Sequence, residues 1–111
     1  PEVFFHIKRV RFSMLSDEYK NKKIYQWYCE NLIDRMVILP SGEITRQTRG
    51  NPSGQVSTTM DNNMVNTFLQ AFEFYMWENY DTIVYGDDRL TSTPLLPTDY
   101  KQKVISMYAD I

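Results

Sequence analysis

The chain carries one cysteine, Cys29, and one histidine, His6, among its 111 residues. A lone cysteine closes no intrachain disulfide, which fits a reducing compartment. With each residue alone of its kind, the thiolate–imidazole clusters of zinc sites are out of reach. Net charge is only −2, so no overall field draws the chain onto nucleic acid or a membrane surface. Polyanion contacts are left to local clusters: Lys8, Arg9 and Arg11; Lys20, Lys22 and Lys23; Arg46 and Arg49. Each reads first as solvated surface. No apolar run approaches the roughly 20 residues that a membrane-crossing helix needs, and no signal-peptide pattern stands out. Repeats, low-complexity tracts and linker-like stretches are missing as well, which leaves a single unit.

What is present is ordinary for a globular chain: 42% apolar, 14% aromatic and 23% charged residues. The length suits one domain with a modest core. The chain opens on Pro1 and closes on "MYADI" inside a pattern that still reads as helical. It therefore looks like a piece of something longer.

Apolar spacing predicts a short helix over 2–12, with Val3, Phe4, Ile7 and Val10 on its covered side. Ser16 is placed to cap a long amphipathic helix through "DEYKNKKIYQWYCENLIDR", with Ile24, Tyr25, Tyr28, Leu32 and Ile33 at helical spacing. "MVIL" and "EITRQT" flank Pro40-Ser41-Gly42 and predict a hairpin. "RGNPSG" is a loop. A second long helix is predicted from Ser57 to Glu78. Met60, Met64, Phe68, Phe72 and Met76 recur at every fourth position along it, a stripe read as core. "TIVY" and "RLTS" predict a second hairpin around Gly86-Asp87-Asp88, and Thr98 or Asp99 would cap a last helix through Ile111. The fold class is α+β, with antiparallel hairpins packed against helices.

One stretch breaks its local preference. In "YGDDRL", Asp87 and Asp88 stand side by side between two strands, although like charges repel and aspartate disfavours strands. A tight bend after Gly86 would let both carboxylates reach one point beyond the sheet edge. Mg²⁺, which prefers hard oxygen ligands, takes one or two carboxylates and completes its shell with water and phosphate oxygens. Two such ions could clamp the attacking and leaving oxygens of a phosphoryl or nucleotidyl transfer. The alternative is a polar hairpin turn, since Gly and Asp are common turn residues.

A second constellation lies upstream, in "GNPSGQVSTTMDNN". Ser53 and Gly54 sit in a small-residue loop that runs into a helix, where backbone N–H groups and a hydroxyl can meet a phosphate or sugar. Thr58 and Asn62 are four apart and share one helix face, which Asn66 continues. Met60 falls about 200° round from Asn62 at about 100° per residue, so the methionine face should be buried and the hydroxyl–amide face presented. Hydroxyls and amides suit a ribose, whose 2′-OH separates RNA from DNA. Helix capping is the alternative, and Thr58-x-x-Asp61 fits a capping box, but capping accounts for neither Ser53-Gly54 nor Asn62.

Ser53-Gly54-x-x-x-Thr58-x-x-x-Asn62, then a helix, then Tyr85-Gly86-Asp87-Asp88 between strands, resembles motifs B and C of the palm of viral RNA-dependent RNA polymerases. The wording "GNPSGQVSTTMDNNMVN", "YGDDRL", "RFSML" and "LPSGEITRQT" is similar to that of the astrovirus polymerases, over essentially the whole chain. The resemblance implies that Asp87 is a principal metal ligand and that Asp88 assists at the metal or the primer end. It implies Mg²⁺, or Mn²⁺, as cofactor. Ser53 and Asn62 would read the ribose, Thr58 would fix that network, and Gly54 would let the loop flex. Implied partners are template and nascent RNA, nucleoside triphosphates and the remaining polymerase subdomains. The implied setting is the host cytoplasm, at membrane-associated replication sites.

Motif A, a strand bearing Asp-x-x-x-x-Asp, has no counterpart here, and its aspartates are expected upstream of Pro1. The motif D lysine is expected beyond Ile111, and fingers and thumb elsewhere. The isolated segment is therefore expected to be inactive. A reverse-transcriptase palm is the nearer rival, opposed by the Ser-Gly loop with Thr58 and Asn62. A non-catalytic RNA-binding or interaction module is the rival from another class.

Overall fold

The computed structural model describes residues 1–74, 79–94 and 98–110. Along the chain come α1 (Glu2–Ser13), a 3₁₀ turn (Asp17–Tyr19), α2 (Lys22–Ile33), β1 (Arg35–Ile38), β2 (Ile44–Gln47), α3 (Thr58–Glu73), β3 (Asp81–Tyr85), β4 (Asp88–Ser92) and α4 (Tyr100–Ala109). β1 pairs with β2 and β3 with β4, each antiparallel, so the described residues form an α+β arrangement of two hairpins with helices. The chain divides into two compact units, Pro1–Asp61 and Asn62–Ile111.

In the first unit, Phe4 and Ile7 of α1 and Cys29 and Ile33 of α2 are buried. Phe12 and Tyr25 stack at a tilt with centroids 4.9 Å apart, and the Tyr25 hydroxyl donates to the Lys8 carbonyl at 2.9 Å. Burial pushes the Tyr25 phenol up to about 12 and raises the Cys29 thiol. The long helix expected from Ser16 is corrected. Lys20 (φ −82°, ψ 81°) leaves the helical region after the 3₁₀ turn, and α2 starts afresh with Asn21 as cap, its side chain accepting from the Ile24 N–H at 3.1 Å. An Asn amide oxygen caps as well as a Ser hydroxyl. The covered positions are Tyr25, Tyr28, Cys29, Leu32 and Ile33, at helical spacing, whereas Ile24 and Trp27 face solvent. The first hairpin pairs Met36 with Arg46 and Ile38 with Ile44. It turns through Leu39–Gly42, with Gly42 N–H donating to the Leu39 carbonyl at 2.8 Å. Arg46 Nε reaches Asp34 at 2.7 Å, and this bond holds the Asp34 carboxyl below its usual range.

In the second unit, the fully covered residues of α3 are Gln70 and Glu73, followed by Phe74. Phe74 stacks on Tyr80 (4.9 Å) and Tyr100 (5.8 Å). The stripe read as core is largely uncovered: Met60 is 55% exposed, Phe68 and Phe72 are exposed too, and Met64 is half-buried. Met76 lies outside the described residues. The reason is on the hairpin. Its half-buried side is Thr82, Val84, Arg89 and Thr91, so a polar helix face finds partners there and an apolar one does not. Thr91 donates to Gln70 Oε1 at 2.8 Å, and Arg89 pairs with Glu73. α4 follows Asp99, which makes no side-chain cap bond and instead meets Lys103 at 3.5 Å. The tail of the predicted long helix, 75–78, and Ile111 lie outside the described residues.

Candidate functional site

The last rung of the second hairpin is Tyr85↔Asp88, so Gly86 and Asp87 form a two-residue loop. Gly86 has φ +61°, and among the described residues no non-glycine has a positive φ. Glycine first with a positive φ is the type II′ pattern, whose twist matches that of paired strands. The two acids are thereby made unequal. Asp87 sits at the tip, while Asp88 begins β4 on the outward side with Leu90; both are exposed. Exposure to water is what makes adjacent like charges tolerable.

Helix α3 grips this turn. The Gly86 N–H donates to Asn63 Oδ1 at 2.6 Å. Asn66 Nδ2 lies 3.1 Å from the Gly86 carbonyl and 3.1 Å from the Asp88 carbonyl. Arg89, next along β4, lies 3.4 Å from Asn66 Oδ1 and pairs with Glu73. The turn's backbone groups are thus tied on both sides of Asp87, while its carboxylates point to solvent. Among the described residues no third histidine, cysteine or acid joins the pair in a metal-sized group. Two exposed carboxylates are nonetheless the donor set that a hard divalent cation accepts.

In the first unit, Ser53 and Gly54 form the exposed tip of the loop before α3, with Gly54 at φ +82°. The Thr58 hydroxyl lies 2.7 Å from the Pro52 carbonyl and 3.0 Å from that of Gln55, closing the loop onto the helix start. The capping box that the Thr58-x-x-Asp61 spacing allows as the alternative is not formed. Asp61 has 0% exposure, and its carboxylate is taken by Lys8 (2.6 Å), Arg11 (3.0 Å) and Gln55 Nε2 (3.1 Å). Two cations outcompete a helix-end amide for one carboxylate. Asn62, half-buried, follows at once and lies one turn ahead of Asn66 on the same face of α3, the face that touches the acidic turn.

The family of viral RNA-dependent RNA polymerases matches residues 1–111. The chain belongs to this family. It is 54% identical over 121 residues to the non-structural polyprotein 1AB of Human astrovirus-1, a match covering 100% of this chain and 8% of that protein. Ovine astrovirus 1 polyprotein 1AB is 53% identical over 126 residues (99% and 9%), and that of Turkey astrovirus 1 is 44% identical over 131 residues (100% and 8%). The chain thus spans less than a tenth of these polyproteins. No solved structure gives a significant match. Polymerases of this family work with divalent metal ions. No helix among the described residues is long and apolar enough to cross a membrane.

Asn63, Asp61, Lys8 and Arg11 were not singled out as site residues by sequence. Composition and charge place Lys8 and Arg11 on solvated surface, yet Lys8 is 2% exposed. A signal existed: Lys8 comes four residues after Phe4, on the covered stripe of α1.

Proposed function

We propose that the chain is part of the palm of an RNA-directed RNA polymerase of a positive-strand RNA virus. The observation that carries this reading is the tied II′ turn presenting Asp87 and Asp88, with Asn62 one helical turn from its Asn66 anchor. The whole enzyme would join an RNA 3′-hydroxyl to an incoming nucleoside triphosphate and release pyrophosphate. Asp87 is the principal metal ligand and Asp88 assists it at the metal or the primer end. Mg²⁺, or Mn²⁺, bound there would neutralise charge on the transferring phosphoryl group. Ser53 at the exposed loop tip and Asn62 on α3 contact the ribose hydroxyls. Thr58 closes the loop that carries Ser53, and Gly54 supplies its bend. Motif A, the motif D lysine, fingers and thumb come from the rest of the polyprotein, together with most of the RNA channel. The setting is the host cytoplasm at membrane-associated replication sites.

The test is primer extension on an RNA template by the full-length polymerase, with ribo- and deoxyribonucleotides in separate reactions. Asp87→Asn should lower synthesis by more than about 100-fold, beyond the usual cost of losing an outer-shell metal partner. Thermal melting should not change. Synthesis that survives Asp87→Asn rejects the reading in favour of a non-catalytic module, and a preference for deoxyribonucleotides rejects it in favour of reverse transcription.

A further inference from the structure

Asp61 sits at the centre of a buried network within the first unit that the polymerase reading does not use. Its Oδ2 meets Lys8 Nζ at 2.6 Å and Gln55 Nε2 at 3.1 Å. Its Oδ1 meets Arg11 Nη1 at 3.0 Å and lies 3.5 Å from Ser57 Oγ, which Arg11 also contacts. Gln55 carries the network into the loop. Its Nε2 donates to Asn51 Oδ1 at 3.1 Å, and its Oε1 accepts from Ser57 N–H at 2.8 Å and from the Tyr28 hydroxyl at 3.2 Å. Lys8 is boxed in by aromatic rings, 4.8 Å from the Tyr28 centroid and 5.5 Å from that of Phe4. Asn51 and Gln55 flank Ser53 and Gly54, two before and one after. The loop's stem is therefore locked to a buried carboxylate, while its tip stays exposed.

We propose that Asp61, held by Lys8 and Arg11, is the positioning residue of the ribose-contacting loop, and that Gln55 is the link through which it acts. The inference rests on the polymerase reading above. None of these side chains has to touch the nucleotide. A carboxylate that is fully buried and paired with two cations has one arrangement of low energy, and Gln55 transmits it to the Asn51 side chain before Ser53 and to the Ser57 N–H after it. Anchoring of this kind fixes where a contacting group sits, and an ångström of misplacement costs up to about 100-fold in rate. A displaced Ser53 would reach the 2′-hydroxyl poorly, so the damage should fall on sugar choice more than on synthesis as such.

The test compares ribo- with 2′-deoxyribonucleotide incorporation by the full-length polymerase, as the ratio of kcat/KM values. The variants measured beside the wild type are Asn62→Ala, Asp61→Asn, Gln55→Met, Arg11→Lys, and the double variant Lys8→Met with Asp61→Leu. The double variant removes the two buried charges together, leaving Arg11, whose side chain is 31% exposed, to solvent, so it separates folding from positioning. Asn62→Ala should collapse the ratio. Gln55→Met and the double variant should lower it about 10- to 100-fold, with KM for ribonucleotides rising more than kcat falls. Arg11→Lys, which keeps a cation beside Asp61, should retain most of the ratio. A folded Gln55→Met or double variant with the wild-type ratio overturns the anchor while leaving the polymerase reading intact, provided Asn62→Ala lowers it. An unchanged ratio in Asn62→Ala overturns both. If Asp61→Asn fails to fold, Gln55→Met and the double variant decide.

Discussion

A single buried carboxylate illustrates how much rides on one residue. Asp61 has no exposed surface and answers two cations, one of them Lys8 at 2% exposure. Taking charges out of water is costly, and only their mutual attraction and hydrogen bonds offset it. Removing one partner strands the other. Asp61→Asn should therefore cost about 3–5 kcal/mol, whereas replacing Lys8 and Asp61 together by Met and Leu should recover most of that loss. Urea denaturation of the three proteins measures the difference directly, and equal costs for the single and the double change would contradict it. The sequence could have hinted at this pair. Lys8 lies on the covered stripe of α1, but a lysine in "IKRVR" reads as surface because lysines are rarely buried. Asp61 fitted a capping box, and local spacing cannot show a competitor from another helix. Gly86, by contrast, was legible: a glycine at the bend permits the positive φ that the hairpin has, although the loop is Gly86-Asp87 alone and Asp88 already belongs to β4.

At the scale of elements, the order of helices and hairpins followed from periodicity and turn residues; α1 and both hairpins stand where the spacing puts them, and α3 starts there but runs only to Glu73, with Phe74 in a turn. What periodicity could not supply was which side of α3 is covered. The Met–Phe stripe has the stronger apolar signal, yet in the second unit the covered residues of α3 are Gln70 and Glu73, because the facing hairpin offers Thr91 and Arg89. Glu73 also joins α4 to this layer. It accepts from the Tyr108 hydroxyl at 2.5 Å and from that of Tyr100 at 3.4 Å. Burial of its hydroxyl, with the bond to Glu73, pushes the Tyr108 phenol from 10.0 up to about 12. A raised folded value makes the contribution full below the unfolded pKa of about 10 and lost as pH climbs toward 12. Melting temperature of the 111-residue chain should fall across that window, and the fall should shrink in Tyr108→Phe. Phenolate absorbance followed through the same titration checks the assignment, and a Tyr108 ionising at its ordinary value would refute it.

Over the whole molecule the balance of covered and exposed apolar surface is unusual. Among the described residues the buried apolar side chains are Phe4, Ile7, Cys29, Ile33 and Phe74, while Ile38, Met60, Ile83 and Leu90 are among many large ones left open to water. Ile83 and Leu90, each 74% exposed, are cross-strand partners on the outward side of the second hairpin. Contiguous apolar surface of this sort binds whatever apolar surface is offered. The 111-residue chain on its own should therefore enhance the fluorescence of an apolar dye and elute as concentration-dependent oligomers. A dye-silent monomer across a wide concentration range would be the contrary result. Neither exposure nor the division into two units could be read from composition, since 42% apolar content is equally compatible with a closed core.

The two-residue loop at Gly86 also carries a rule of parity. Strand alternation sends Asp88 outward and Arg89 inward, and only the second reaches Glu73. One residue inserted ahead of Asp88, with β3 held in place, would exchange those roles, turning an acid toward a buried glutamate and a guanidinium toward solvent. Anyone transplanting this bend to another hairpin must move Gly86 through Arg89 as an indivisible block, with asparagines at the spacing of Asn63 and Asn66 waiting on the helix beneath.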